Sequence, residues 1–243
     1  MTSGLPGPIV APMNLLSHFS ATFTALDTLG FVLLILCWLG TGFLAEHPPA
    51  WRPSVSQLMK SYRREGMVEF LTRDPRIFDI SLIDSLRQGT AFFVSGSMIA
   101  IGGGVAMIGN ASTLQGLAQD LTLGLDPTQT RVKLIVVVGL MANSLLKFMW
   151  SHRLFGYCAI MMAAVPNDHT HPHALPRALQ TAEINITAAK GFNRGLNGVY
   201  FALAALAWLI GPKALIWAVI LTTGVMLRRE FASHSREVML QKL

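Results

Sequence analysis

The stretch Val199 to Leu227, "VYFALAALAWLIGPKALIWAVILTTGVML", is apolar apart from its ends and the interruption Gly211-Pro212-Lys213. As a single helix it would rise roughly 44 Å, well beyond the roughly 30 Å of a bilayer's hydrocarbon core. Gly-Pro is strong turn chemistry: proline cannot continue a helical ladder, and glycine adopts backbone angles closed to other residues. The reading is a hairpin of two helices, about 194–211 and 212–229. That choice sets the number of crossings, and with it the side on which the chain ends.

Working outward, the composition supports a membrane setting. Of 243 residues, 52% are hydrophobic and 13% charged, about half the charged share of soluble domains. The apolar residues form blocks rather than narrow stripes. Besides the hairpin these blocks predict spans at 28–45, 89–109 and 134–150, the last with an apolar extension to 165. The first 27 residues hold no Lys or Arg, so the first block reads as a retained anchor and not a cleaved leader.

Cations fix the orientation. With five spans, Arg131, Lys133 and Lys213 are the three of 19 lysines and arginines that fall on one side, and the rest fall on the other. Basic loops stay in the cytoplasm, so the N-terminus, the 110–130 loop and Lys213 are expected outside and the C-terminus inside. The net charge of +6 is then a topology signal, and nucleic acid is excluded as its explanation. The expected fold is an all-α integral membrane protein of about five transmembrane helices in a single membrane domain over 1–243. An amphipathic helix lies on its cytoplasmic surface.

Two inside loops, 46–88 and 166–193, carry most of the polar residues. In the first, Val55, Leu58, Met59 and Tyr62 recur at helical spacing with Lys60, Arg63 and Arg64 between them. This predicts a surface helix started by Ser54, bent or broken at Gly66, with its cations toward anionic lipid. Asp74-Pro75 reads as the start of a second helix running into span two. On it Arg76 and Asp79, and Asp84 and Arg87, are spaced to pair, with Ile80 and Ile83 facing the protein. These charges are placed at the inner headgroup boundary. In the second loop His169, His171 and His173 alternate; such a tract binds metals adventitiously, and it reads as solvated loop.

Inside the spans, Asn143 and Lys147 share a face of span three. Ser95, Ser97 and Gly102-Gly103-Gly104 on span two, and Thr222-Thr223-Gly224 on span five, offer small surfaces for helix packing. Packing is the preferred reading, and a narrow polar path between spans two and three is the sharper one. Cys37 and Cys158 have no metal-type spacing. No nucleophile–base pair, phosphate loop or paired haem ligands can be found, so an enzyme is not expected, nor any cofactor or metal.

The blocks "RDPRIFDISLIDSLRQGTAFFVSGSMIAIGG" (73–103), "KFMWSHRLFGYCAIMMAAVP" (147–166) and "GFNRGLNGVYFALAALAWLIGP" with "RREF" (191–212 and 228–231) resemble the domain-of-unknown-function family 599. The resemblance runs from about 26 to 233. It implies a multi-pass membrane protein of the kind found in bacteria, hence a bacterial inner-membrane location, and brings no activity. It also marks Arg76, Asp79, Arg87, Trp150, Arg153, Tyr157, Asn193 and Arg229 as lying on family-like motifs. The expected function is a small channel or transporter for an ion or small solute. Its binding or gating residues would be Arg76, Asp79, Arg87, Asn143, Lys147, Arg153 and Asn193. The alternative is a non-catalytic scaffold or accessory subunit of a larger membrane complex. The expected partners are the bilayer, with anionic lipid at the cytoplasmic face, and a second copy of the chain.

Overall fold

The computed structural model describes residues 23–110 and 126–241, and all regular structure among them is helical. Seven α-helices follow in order: α1 Ala25–Glu46, α2 Val55–Glu69, α3 Ile77–Gly109, α4 Pro127–Ala163, α5 Ala174–Leu206, α6 Pro212–Phe231 and α7 His234–Leu240. A 3₁₀ turn, Ala207–Leu209, links α5 to α6. Three helices, α1, α3 and α4, are long and apolar enough to cross a membrane. The expected N-terminal segment and most of the 110–130 loop lie outside the described residues.

The hairpin forms where Gly-Pro predicts it. Gly211 has φ +155° and ψ 168°, a region essentially reserved for glycine, and Pro212 opens α6 at its first turn. Tyr200 on α5 and Arg229 on α6 meet across the two arms, which shows them side by side. A first core fills the space between α1, α4 and the hairpin. Leu34, Leu140, Phe201, Trp208, Leu215 and Val219 are almost wholly buried there.

Helix length explains the second layer. The 33 residues of α3 rise about 50 Å, and the hydrocarbon core takes only about 30 Å of it. The remaining polar turns of α3 extend beyond the apolar zone together with the ends of α4 and α5. Around them packs a separate core of Met67, Phe70, Ile83, Cys158, Met162 and Ala178. The apolar extension Leu154–Val165, read as part of the third span's surroundings, is therefore core of this second layer. Asp79 lies ten residues before Gly89, roughly 15 Å along α3 from the apolar stretch.

Local details also differ from expectation. The α2 helix runs through Gly66 without a break, since no neighbour there competes for the backbone. Ser54 caps it as expected, accepting from the Gln57 amide at 3.1 Å while donating to Ala45 O at 2.7 Å. The α3 helix starts at Ile77 with Arg76 as N-cap, so Asp74 does not cap it. Ile83 is buried as expected, but Ile80 is 57% exposed. The two lie three positions apart, and only Ile83 meets the second core.

Tight packing lies between α4 and α5. Gly191, Gly195 and Gly198 recur at i, i+4 and i+7, and a methyl group on them would touch Ser151, Phe148 and Ser144 respectively. Small residues let helix backbones approach closely in a membrane. Of the glycines expected to pack on spans two and five, Gly104 meets a neighbour, Val138, while Gly102, Gly103 and Gly224 face open space among the described residues.

Candidate functional site

The expected site residues are not gathered into one place. Arg76 donates to Val165 O at 3.1 Å and Pro166 O at 2.9 Å and lies 4.4 Å over the Phe70 ring. It clips the α4–α5 connection to the end of α2. Asp79 pairs with Arg73 rather than Arg76, because the chain bend before α3 carries Arg73 over it. Its second oxygen is buried without a partner among the described residues. Asp84 accepts from Gln88 at 2.7 Å and not from Arg87, whose buried Nε has no described partner. Arg153 is exposed and bonds Tyr157 one turn along its own helix at 2.5 Å. Asn143 and Lys147 are half-buried, with no hydrogen bond to a described residue. Between spans two and three, where packing is the preferred reading over a narrow polar path, lies an apolar cleft lined by Phe92, Phe93, Val138 and Leu203. It is apolar because Asn143 points elsewhere and Ser97 is the sole polar side chain on its wall.

One expected residue, Asn193, stands on a different polar cavity. This space of about 310 Å³ lies among α1, α2, α5 and α6. Helix α5 presents Lys190, Arg194 and Asn197 at i, i+4 and i+7, one residue before each packing glycine, so the same helix turns glycine to α4 and charge to the cavity. Helix α2 brings Lys60 and Arg63, one turn apart, with Val55 and Met59 beside them. Helix α6 closes the wall with Met226, Arg229 and Glu230. The helix expected at the cytoplasmic surface packs across α5. Arg63 bonds Asn185, and Arg64 bonds Glu183 at 2.6 Å.

The charges divide into two sets. Glu46, at the end of α1, receives both Lys190, at 2.8 Å, and Arg194, whose second nitrogen lies at 2.7 Å. The other three cations are held by neutral oxygens: Lys60 by the Gln57 amide at 2.8 Å, Arg63 by Asn185 and Arg229 by the Tyr200 hydroxyl at 2.6 Å. Glu230 serves none of them; it accepts the backbone N–H and the hydroxyl of Ser56, each at 3.1 Å. Neutral partners orient a cation without cancelling its charge. Burial lowers the Arg63 pKa from its ordinary value, but a guanidinium stays charged.

The inner end of the cavity is polar and closed. Buried Thr41 donates to Asn197 Oδ1 at 3.1 Å, and Asn197 Nδ2 donates to Trp38 O at 2.9 Å, tying α5 to α1. Past that bond the first core is filled. At the other pole Asp27 accepts the Trp208 indole N–H at 2.7 Å, and the Lys133 ammonium lies 5.9 Å from the Trp208 ring centroid. Sequence reading missed Glu46, Lys60, Arg63, Arg194, Asn197 and Glu230 as a group. The signal available was the i, i+4, i+7 run Lys190, Arg194 and Asn197.

No group of three or more metal-ligating side chains is assembled among the described residues. His171 and His173 are exposed, their rings tilted to one another with 5.4 Å between centroids. A family model described as "Protein of unknown function, DUF599" matches residues 29–235. No curated protein and no solved structure matches the chain. That match covers most of the sequence, from the first turn of α1 to the start of α7, and the chain belongs to the DUF599 family.

Proposed function

We propose that this is a five-span membrane protein of the bacterial inner membrane, N-terminus outside and C-terminus inside, that binds a small anion in the cavity and carries it across. The observation that supports the reading most is the set of three cations on the cavity wall with neutral partners. Together with Lys190 and Arg194 they outnumber the two lining carboxylates. Fixed positive charge in a space of low dielectric concentrates anions. The cationic pole is assigned to the cytoplasm by the excess of Lys and Arg there. Helices α5 and α6 become spans four and five, paired across the Gly211 turn. A cavity that ends at Thr41 and Asn197 fits a carrier open to one side better than an open channel. Binding and release, rather than covalent chemistry, are the activity on this reading.

The test is thermal unfolding of the purified chain in neutral detergent. It would be titrated with phosphate, glycerol 3-phosphate and dodecyl phosphate, and with choline and dodecyltrimethylammonium as cations. At least one anion should raise the unfolding midpoint, the cations should not, and Lys60→Gln/Arg229→Gln should weaken the effect. Equal response to both charges, or none to any anion, would overturn the reading.

A scaffold role is favoured by a different observation. The apolar stretch of α3 is only 6% buried, so one whole helix face is free to meet lipid or another chain. Self-association through that face is compatible with a carrier.

A further inference from the structure

We infer that the anion is the headgroup of a membrane lipid, a phosphate or carboxylate bearing at least one acyl chain, entering from the cytoplasmic leaflet between α5 and α6. This inference rests on the anion-binding reading and specifies its ligand. The first ground is depth. Arg229 is 18 residues from the Gly211 turn, roughly 27 Å along α6 and hence at the inner edge of the hydrocarbon. Tyr200 lies only 11 residues from that turn on the other arm, roughly 10 Å nearer the bilayer centre. An arginine at the headgroup level ordinarily extends outward to water. Arg229 extends inward, to the Tyr200 hydroxyl at 2.6 Å, although it is exposed. An exposed cation at that depth, held only by a phenol oxygen, lies within reach of an anionic headgroup of the inner leaflet.

The second ground is the wall itself. Charge and apolar surface share it: Met59, Leu196, Met226 and Leu227 stand among Lys60, Arg194 and Arg229. A site for phosphate alone gains nothing from four apolar side chains beside its cations, whereas the upper part of an acyl chain covers them. The third is size. About 310 Å³ is at the small end of ligand pockets, enough for a polar head and too little for a whole lipid, so the tail stays in the bilayer.

The experiment compares one head with and without a tail. The thermal midpoint in neutral detergent would be measured against phosphatidylglycerol, phosphatidylcholine, and glycerol 3-phosphate, which offers a phosphate ester without chains. Phosphatidylglycerol should stabilise at low micellar fraction, phosphatidylcholine much less, and glycerol 3-phosphate not at all. In Lys60→Gln/Arg229→Gln the apparent affinity for phosphatidylglycerol should fall by at least about tenfold. Arg229→Lys should retain part of it. Should the double variant not fold, Lys60→Gln alone, whose amine hydrogen-bonds Gln57 among the described residues, must still lose affinity.

Stabilisation by glycerol 3-phosphate equal to that by the lipid would leave the anion cavity standing and overturn the lipid. Failure of every anion would overturn both. Unchanged phosphatidylglycerol affinity in the variants would show lipid bound elsewhere on the surface, and would overturn the inference while leaving the cavity's charge selectivity to the soluble anions.

Discussion

Replacing Gly195 with alanine tests whether the α4–α5 contact sets the architecture around the cavity. A Cβ at this position would lie 2.5, 2.7 and 2.9 Å from three carbons of the Phe148 ring, where ordinary contact begins at about 3.4 Å. The ring must therefore move by close to an ångström. It has no room: Phe148 is fully buried, with Phe93 at 5.2 Å and Phe192 at 5.5 Å between centroids. Forcing one carbon into such a core costs about 1–3 kcal/mol. Alanine's better helix propensity returns at most about 1 kcal/mol. The expected net loss is about 1–2 kcal/mol. Gly102→Ala, which faces open space, should be neutral or slightly stabilising. The assay is detergent-denaturant unfolding of both variants beside the parent, followed by helical circular dichroism. Adding Phe148→Leu to Gly195→Ala should recover part of the loss, giving a favourable coupling between two sites in contact. Equal behaviour of the Gly195 and Gly102 variants, or no coupling with Phe148, would refute the packing argument.

Asn197→Ala removes two hydrogen bonds between α5 and α1; about 1–3 kcal/mol should be lost in the same unfolding assay, with a smaller loss for Asn193→Ala, which makes no hydrogen bond to another helix among the described residues. Arg64→Gln breaks a pair in which both side chains are about half exposed, so its effect should be small, whereas Asp79→Asn, at a residue that is 6% exposed, should cost more. Cysteine placed at position 213 should react with an impermeant maleimide on intact cells and cysteine at position 64 should not; the reverse pattern would overturn the proposed orientation. Native mass measurement in mild detergent should show a homo-oligomer, most simply a dimer, and a monodisperse monomer would remove the support that the open face of α3 gives to self-association.

Much of the fold was legible because its signals are local. Hydropathy blocks locate α1, α3 and α4, and Gly211-Pro212 places the hairpin, since both depend on residues adjacent in sequence. The resemblance to family 599 held for the same reason: its motifs are contiguous. The cavity was not legible, because its contacts join residues as far apart as Glu46 and Arg194 or Ser56 and Glu230. Spacing showed that Arg76 could pair with Asp79, but not that a backbone bend would bring Arg73 in its place. Likewise the amphipathic pattern of α2 was correct, yet amphipathicity alone does not distinguish a lipid surface from the side of α5. Exposed Tyr62 and buried Met67 on that one helix show both environments in use.

The two poles of the bundle solve opposite problems, and that contrast bears on the carrier reading. At the pole of the Gly211 turn, charge is consumed. Asp27 accepts from Thr24 and from Trp208, while Lys133 lies against the same indole, and both ionisable residues are about 95% buried. Both are committed to neighbours on α1 or the turn. At the cavity pole, charge is displayed: three cations rest on amide or phenol oxygens that can let go of them at small cost. Glu46 occupies the remaining two, so an arriving anion must compete with it for Lys190 and Arg194 but not for Lys60, Arg63 or Arg229. Such a site binds without first breaking an ion pair, and then weakens one. Weakening the Glu46 contacts loosens α1 from α5 at this pole, while Asn197 still holds the two helices one turn deeper. On the carrier reading proposed above, the hydrogen bonds of Asn197 would couple binding at the open end to movement of α1 against α5, and the buried Asp27–Trp208 contact would be strained by that movement.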